Sequence, residues 1–271
     1  MDPDGEFLRL STVLNDAYLH AADDGRSVRL DACQVSYNAV WAVERRPWTD
    51  GQGRVTPYIL LRGAYGRYLG ATDTPSSCFP CLRVVAAQRD FDEAMVKDIM
   101  WQVFKRDDGM ITLLSATGCY LEYYSRPRSS STTRLWKVDV LPRLSRPQLM
   151  IDTKPKWVKL LANLQWLCSS EREVNWVLAD CAGNINEAYW GRFMFDGRDI
   201  SSLEKELSLL VSLPTTLCVR AGRHGQPTPL CINLPRSNEP LHVVLFLKNT
   251  TGSGRLVYPD LSQQGPRIKL D

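Results

Sequence analysis

The chain of 271 residues is 44% hydrophobic and 23% charged, with a net charge of +3. Those values fit an ordinary soluble globular protein of two domains and exclude a disordered or fibrous chain. Residues 1–145 carry 18 Lys plus Arg against 18 Asp plus Glu, and the remainder carries 15 against 12. Neither half is therefore a cationic footprint, which counts against nucleic acid as a partner.

The amino terminus, Met1-Asp2-Pro3-Asp4-Gly5-Glu6, is acidic and lacks the apolar run of a secretory signal. No apolar stretch is longer than residues 243–247, which are too few to span a bilayer. A cytoplasmic location, with the nucleus as the alternative, is the expectation. The 8 cysteines then read as reduced, mostly buried thiols. Cys78 and Cys81 form the one close pair; a loop is expected there rather than half a zinc site, because no second such pair follows.

In chain order, the first 140 residues repeat one pattern: an apolar strand, a turn ending in Tyr-Leu, then Trp-x-Val. The copies place Tyr18, Leu19 and Trp41 in the first unit, Tyr68, Leu69 and Trp101 in the second, and Tyr120, Leu121 and Trp136 in the third. Short apolar runs separated by Gly, Asp and Asn are strand-and-turn grammar. Three repeats near residues 7–45, 57–106 and 109–141 predict a closed β-trefoil over residues 1–145, with these nine residues as its repeat core. Residues 91–97 could add a helical turn, and the polar loop 126–134 is expected to be solvated.

Residues 146–173 read as a linker with an amphipathic helix bearing Trp157, Leu160, Leu161, Leu164, Leu167 and Cys168 on one face. A smaller α+β domain follows over residues 174–249. Its hairpin spans 174–180 and 191–195, and Asp199 caps a helix carrying Ile200, Leu203, Leu207, Leu210 and Val211. Strands at 217–220, 230–234 and 242–247 complete the order of a β-grasp, ubiquitin-like fold. Residues 250–271 read as a flexible tail.

Catalytic groups do not converge in this pattern. His20, His224 and His242 are scattered, and neither a Gly-x-Ser-x-Gly elbow nor a His-Glu-x-x-His helix is present. Gly222-Arg223-His224-Gly225 reads as a hairpin turn rather than an anion loop. Asp23-Asp24 and Asp107-Asp108 read as turn residues. The expectation is a non-enzyme with no catalytic residue, cofactor or metal site.

Residues 7–11, 17–23, 39–44 and 61–71, with Trp41-Ala42-Val43 and Gly66-Arg67-Tyr68-Leu69 among them, resemble the plant proteins catalogued as domain of unknown function 569. The resemblance extends to Ala179-Asp180, Gly183-Asn184-Ile185, Phe193-Met194-Phe195, Gly197-Arg198 and residues 230–235 and 242–244. It implies a fascin-like, actin cross-linking-type β-trefoil followed by a ubiquitin-like domain. The function it implies is that of a non-enzymatic interaction protein with filamentous actin as partner. The alternative is a lectin-like trefoil stacking glycans on Trp48, Tyr65 or Tyr124.

Overall fold

The computed structural model describes residues 6–72, 83–92, 95–124, 132–148 and 171–262. The predicted helix from Trp157, the Cys78–Cys81 pair and most of the 126–134 loop lie outside them.

The first unit comprises Met1–Leu144, Arg220–Thr228 and Pro259–Asp271; the second comprises Ser145–Val219 and Pro229–Tyr258. In chain order the early strands are β1 (Glu6–Thr12), β2 (Tyr18–Ala21), β3 (Val28–Asp31), β4 (Trp41–Thr49), β5 (Val55–Arg62), β6 (Tyr68–Gly70), β7 (Arg83–Val84) and β8 (Ala87–Arg89). After α1 (Val96–Ile99) come β9 (Trp101–Lys105), β10 (Ile111–Ser115), β11 (Tyr123–Tyr124), β12 (Thr132–Thr133), β13 (Trp136–Leu141) and β14 (Arg143–Leu144).

Ten of these strands form one sheet in the order β3-β2-β1-β13-β10-β9-β5-β6-β8, with β4 off this path and paired to β1 and β5. The predicted fascin-like β-trefoil is corrected here. Within the sheet β1, β13, β10, β9, β5 and β4 pair in a ring, with β3 and β8 at its outer ends, and the departure from three like repeats lies outside that ring. The copies also differ in pairing: the first two add β2–β3 and β6–β8 to the main sheet, whereas the third sends β11 into a separate sheet ordered β12-β11-β7. Similar sequence units thus take unequal positions, because their loops differ in length and set different strand partners.

The repeat nevertheless has a recurrent local geometry. The indole Nε1–H of Trp41 donates to the Leu19 carbonyl at 3.0 Å, that of Trp101 to Leu69 at 2.8 Å, and that of Trp136 to Leu121 at 2.9 Å. All six of these side chains are fully buried. Each Trp therefore fills core volume while satisfying a buried carbonyl, the two demands that an indole can meet together. Tyr68 is buried as well, whereas Tyr18 and Tyr120 are half-buried. Two residues before each Tyr the backbone turns left-handed, at Asp16 (φ 50°), Gly66 (φ 74°) and Gly118 (φ 90°).

His20 is buried on β2, and its Nε2 lies 2.9 Å from the Cys33 carbonyl, which accepts from the neutral ring. Burial lowers its pKa from 6.5 to about 4, against the pull of Asp31; Arg29 and Arg9 lower it further. The folded state thus holds fewer protons than the unfolded state between these values. The contribution is complete above pH 6.5 and is lost as pH falls towards 4, by about 3 kcal/mol for a shift of this size. Urea unfolding at pH 7 and pH 4 is expected to show a smaller loss in His20→Gln than in the native chain.

The second unit is built from β15 (Arg172–Leu178), β16 (Gly191–Phe195), α2 (Ile200–Val211), β17 (Thr215–Val219), β19 (Leu241–Leu247) and α3 (Thr251–Gly254), while β18 (Thr228–Pro229) and β20 (Tyr258–Pro259) straddle its boundaries. Its sheet runs β16-β15-β19-β17-β18, with β15 and β19 parallel and the β15–β16 and β17–β19 pairs antiparallel. Helix α2 supplies Leu203 and Leu207 to a core with Val174, Leu217, Val219, Val243 and Leu245. Those strand residues alternate along the chain, so one sheet face receives them all. The Asp199 carboxylate caps α2 by accepting from the Ser202 N–H at 2.8 Å.

At the other end Ser212 is left-handed (φ 55°), and the Leu213 N–H donates to the Ser208 carbonyl at 3.2 Å. Glycine is the residue that adopts this conformation without steric cost. Ser212→Gly is expected to stabilise the unit by about 1 kcal/mol, read as an increase in denaturation midpoint.

Candidate functional site

The face of the second unit's sheet away from α2 is largely closed. Val177, Ala179, Cys218, Val244 and Phe246 form a second core there, covered by Ile185, Trp190 and Leu256. The cover is fastened where the β15–β16 loop meets α3. The Cys181 carbonyl accepts from the Gly252 N–H at 2.9 Å and the Thr251 hydroxyl at 2.7 Å. A Cβ on Gly252 would come within 2.7 Å of the Gly183 backbone, so this approach requires glycine.

Beside the cover lies an open groove lined by Leu178, Ala179, Asp180, Asn184, Ile185, Asn186 and Glu187. Its central acid is already engaged. Asp180 accepts from the Ala182 and Asn184 N–H groups at 2.9 and 2.8 Å and from the Asn184 amide at 2.9 Å. The bonds from Asn184 come first in holding its carboxyl below the usual range. Asp180 thus builds the turn, and its proton-accepting oxygens are occupied.

Among the described residues, β16 has no second strand partner. β16 pairs with β15 on one side and stands at the end of the strand order. Arg192 and Met194 project from it on the same face, and Tyr189 precedes it; all three are exposed. Arg192 Nε reaches Glu173 at 3.4 Å and Asn175 at 3.3 Å, both on the neighbouring β15. An exposed edge presents unpaired N–H and C=O groups to any extended chain that approaches.

The other residues singled out in the sequence do not converge. Asp24 accepts from the Arg26 and Ser27 N–H groups, both at 2.8 Å, and Asp108 from Met110 at 3.0 Å, so both are turn builders. His224 packs edge-on against Phe91, and His242 edge-on against Trp190. Among the described residues, no group of three or more His, Cys, Asp or Glu could hold a metal ion, and no helix is long and apolar enough to cross a membrane.

One grouping was not legible in the sequence. The Tyr68 hydroxyl contacts both Glu44 carboxylate oxygens at 3.2 Å and accepts from the Gln226 N–H at 3.0 Å. Arg62 binds Glu44 and also the Thr228 hydroxyl and the Pro227 carbonyl. This network ties residues 226–228 into the first unit, and no local spacing announces it. Burial pushes the Tyr68 hydroxyl pKa up, so the phenol remains a neutral hydrogen-bonding group.

The strand order, the parallel β15–β19 pair and helix α2 packed on one face give the topology of a ubiquitin-like unit. Residues 170–246 match the family described as DUF569 associated ubiquitin-like domain. No curated protein matches the chain. The resemblance read over most of the sequence is corrected accordingly: its ubiquitin-like part stands, and its fascin-like β-trefoil does not. The actin partner rested on that trefoil and falls with it. The lectin-like alternative, with Trp48, Tyr65 and Tyr124 as its stacking platforms, rested on the same trefoil. Tyr65 is 6% exposed, and Trp48 carries the Lys97 ammonium over its ring.

Proposed function

We propose that the chain acts without catalysis and that its ubiquitin-like unit recognises an extended peptide segment of another protein by strand addition to β16. The observation that carries this reading is the β16 edge, unpaired among the described residues, with Arg192 and Met194 exposed on one face. Strand addition uses the backbone for affinity and alternate side chains for selection. A peptide with an acidic residue opposite Arg192 and an apolar residue opposite Met194 complements this edge. The closed face beneath Ile185, Trp190 and Leu256 supports the choice of edge over face. The ubiquitin-like match supports the non-catalytic half, since that class is generally non-catalytic.

The test is amide hydrogen exchange on the full chain with peptides selected from a random extended library. Bound peptide is expected to slow exchange within Gly191–Phe195, and Met194→Asp to weaken binding about tenfold, as the loss of one well-packed anchor does. Selected peptides that leave these amides unprotected would overturn the reading.

A further inference from the structure

The strand at the end of the second unit's sheet carries a sequence that complements its own reverse. Arg192-Phe193-Met194-Phe195-Asp196 has a cation at one end, an acid at the other and two phenylalanines about a central methionine. Asp196 follows β16 directly. Alternation puts Arg192, Met194 and Asp196 on one face, and all three are exposed. Phe193 and Phe195 lie on the face towards α2, their rings edge-on at 6.4 Å. Arg192 meets Glu173 and Asn175 through Nε, and its side chain is 69% exposed, which leaves the outer N–H groups for a further carboxylate.

Sheet edges are guarded against other edges by lysine, proline, a bulge or an inward-pointing charge. β16 has no proline or lysine, and its register with β15 runs without a bulge from Trp176–Gly191 to Arg172–Phe195. Its protection rests on the Arg192 charge, and one arrangement neutralises that charge. Two identical strands related by a twofold axis perpendicular to the sheet pair antiparallel about a single residue position. Centred on Arg192, the pair opposes two like charges, which is destabilising. Centred on Phe193, it sets Arg192 against Met194 and Asp196 against Trp190. Centred on Met194, it sets Arg192 against Asp196, Phe193 against Phe195 and Met194 against itself. Both charges are then paired, and each apolar side chain meets another.

We propose that a second copy of this chain adds to β16 in the register centred on Met194, joining two ubiquitin-like units into one continuous sheet through Arg192–Asp196 pairs. The inference rests on the reading of β16 as a strand-adding edge and gives that edge a regulation. The dimer and an extended peptide compete for the same N–H and C=O groups, so self-association withholds the edge from other partners.

Sedimentation velocity and amide hydrogen exchange of the full chain over a range of protein concentration test it. Mass is expected to double as concentration rises, with exchange in residues 191–196 slowing in step. Arg192→Asp and Asp196→Arg each replace attraction by repulsion at both pairs and are expected to weaken the dimer about tenfold. The two reversals in one chain restore the pairing, and affinity is expected to return to within about threefold of the native chain. Both positions are exposed, so the chain is expected to fold in every case. A chain that stays monomeric, a dimer indifferent to the single reversals, or a double reversal no tighter than the single ones overturns the proposal. Slow exchange at 191–196 that does not depend on concentration also overturns it, by showing a cover supplied within the chain. A monomeric chain whose amides selected peptides still protect removes the dimer and leaves peptide recognition standing. A charge-dependent dimer that no selected peptide dissociates supports the dimer and removes peptide recognition.

Discussion

Replacing Trp101 with alanine is expected to unfold the first unit. The indole is fully buried at the start of β9, where Trp101 pairs with Ser115 on β10 and with Ile59 on β5. Truncating a buried Trp typically costs about 3–5 kcal/mol. That is a large part of the roughly 5–15 kcal/mol that holds a domain together. The substitution also removes the donor to the Leu69 carbonyl. Trp101→Phe separates the two effects: it keeps most of the apolar volume and orphans the carbonyl, for an expected loss of about 1–3 kcal/mol. Trp48→Ala is the surface control. That ring is 38% exposed and stacks under Lys97, so about 1 kcal/mol is expected. Circular dichroism melts would give the order Trp101→Ala, Trp101→Phe, Trp48→Ala from most to least destabilised. A Trp101→Ala chain melting with the native one would refute the core role of the repeat.

Gly222→Ala is the second large effect, and it acts through the backbone. Gly222 has φ +80°, and a Cβ there would lie 2.0 Å from the Phe91 carbonyl oxygen and 2.5 Å from the Phe91 nitrogen. Backbone atoms cannot swing aside as a flexible side chain does. The neighbouring Phe91 N–H donates to the Ala221 carbonyl at 3.0 Å, and the Phe91 ring packs edge-on against Tyr68 and His224. The left-handed conformation costs a non-glycine residue about 1–2 kcal/mol, and the overpacking a further 1–3 kcal/mol, approximately. Gly53→Ala isolates the first contribution, since Gly53 has φ +77° and a Cβ there would meet nothing within 4 Å. Gly222→Ala is expected to lower the unfolding midpoint by at least twice as much as Gly53→Ala and to open residues 220–228 to proteolysis. Equal effects of the two substitutions would show that the approach to Phe91 is not tight.

The ubiquitin-like unit was largely legible because its signals are local. Asp199 caps the predicted helix, and the Leu203 and Leu207 spacing places both on the core face of α2. Leu210 has the same apolar character but is 55% exposed, since a 12-residue helix on one sheet buries a narrower stripe than the sequence offers. The predicted strand at 230–234 is instead the short β18 at Thr228–Pro229, while Leu230 and Leu234 enter the core as loop residues. Burial there substitutes for strand periodicity.

The candidate edge was legible only in part. The hairpin containing β16 follows from alternation, but its position at the end of the sheet depends on the β15–β19 pairing, between segments about 65 residues apart. The burial of Arg172 was not legible at all. A lone arginine at the start of a strand reads as an exposed end, and only the return of Leu234 and Pro235 across the chain buries it.

By itself, the sequence determined the strand-rich repeats, the recurring Trp and Leu of the first unit's core, and the element order of the ubiquitin-like unit. Each of these depends on residues close in the chain, where periodicity, turns and caps act directly. Tertiary structure alone decided that β4 joins β1 to β5, that residues 220–228 join the first unit, and that Arg172 is buried against the Pro235 carbonyl. Those outcomes depend on which distant segments pair, and the free energy that selects them comes from packing and desolvation across the chain rather than from any local pattern.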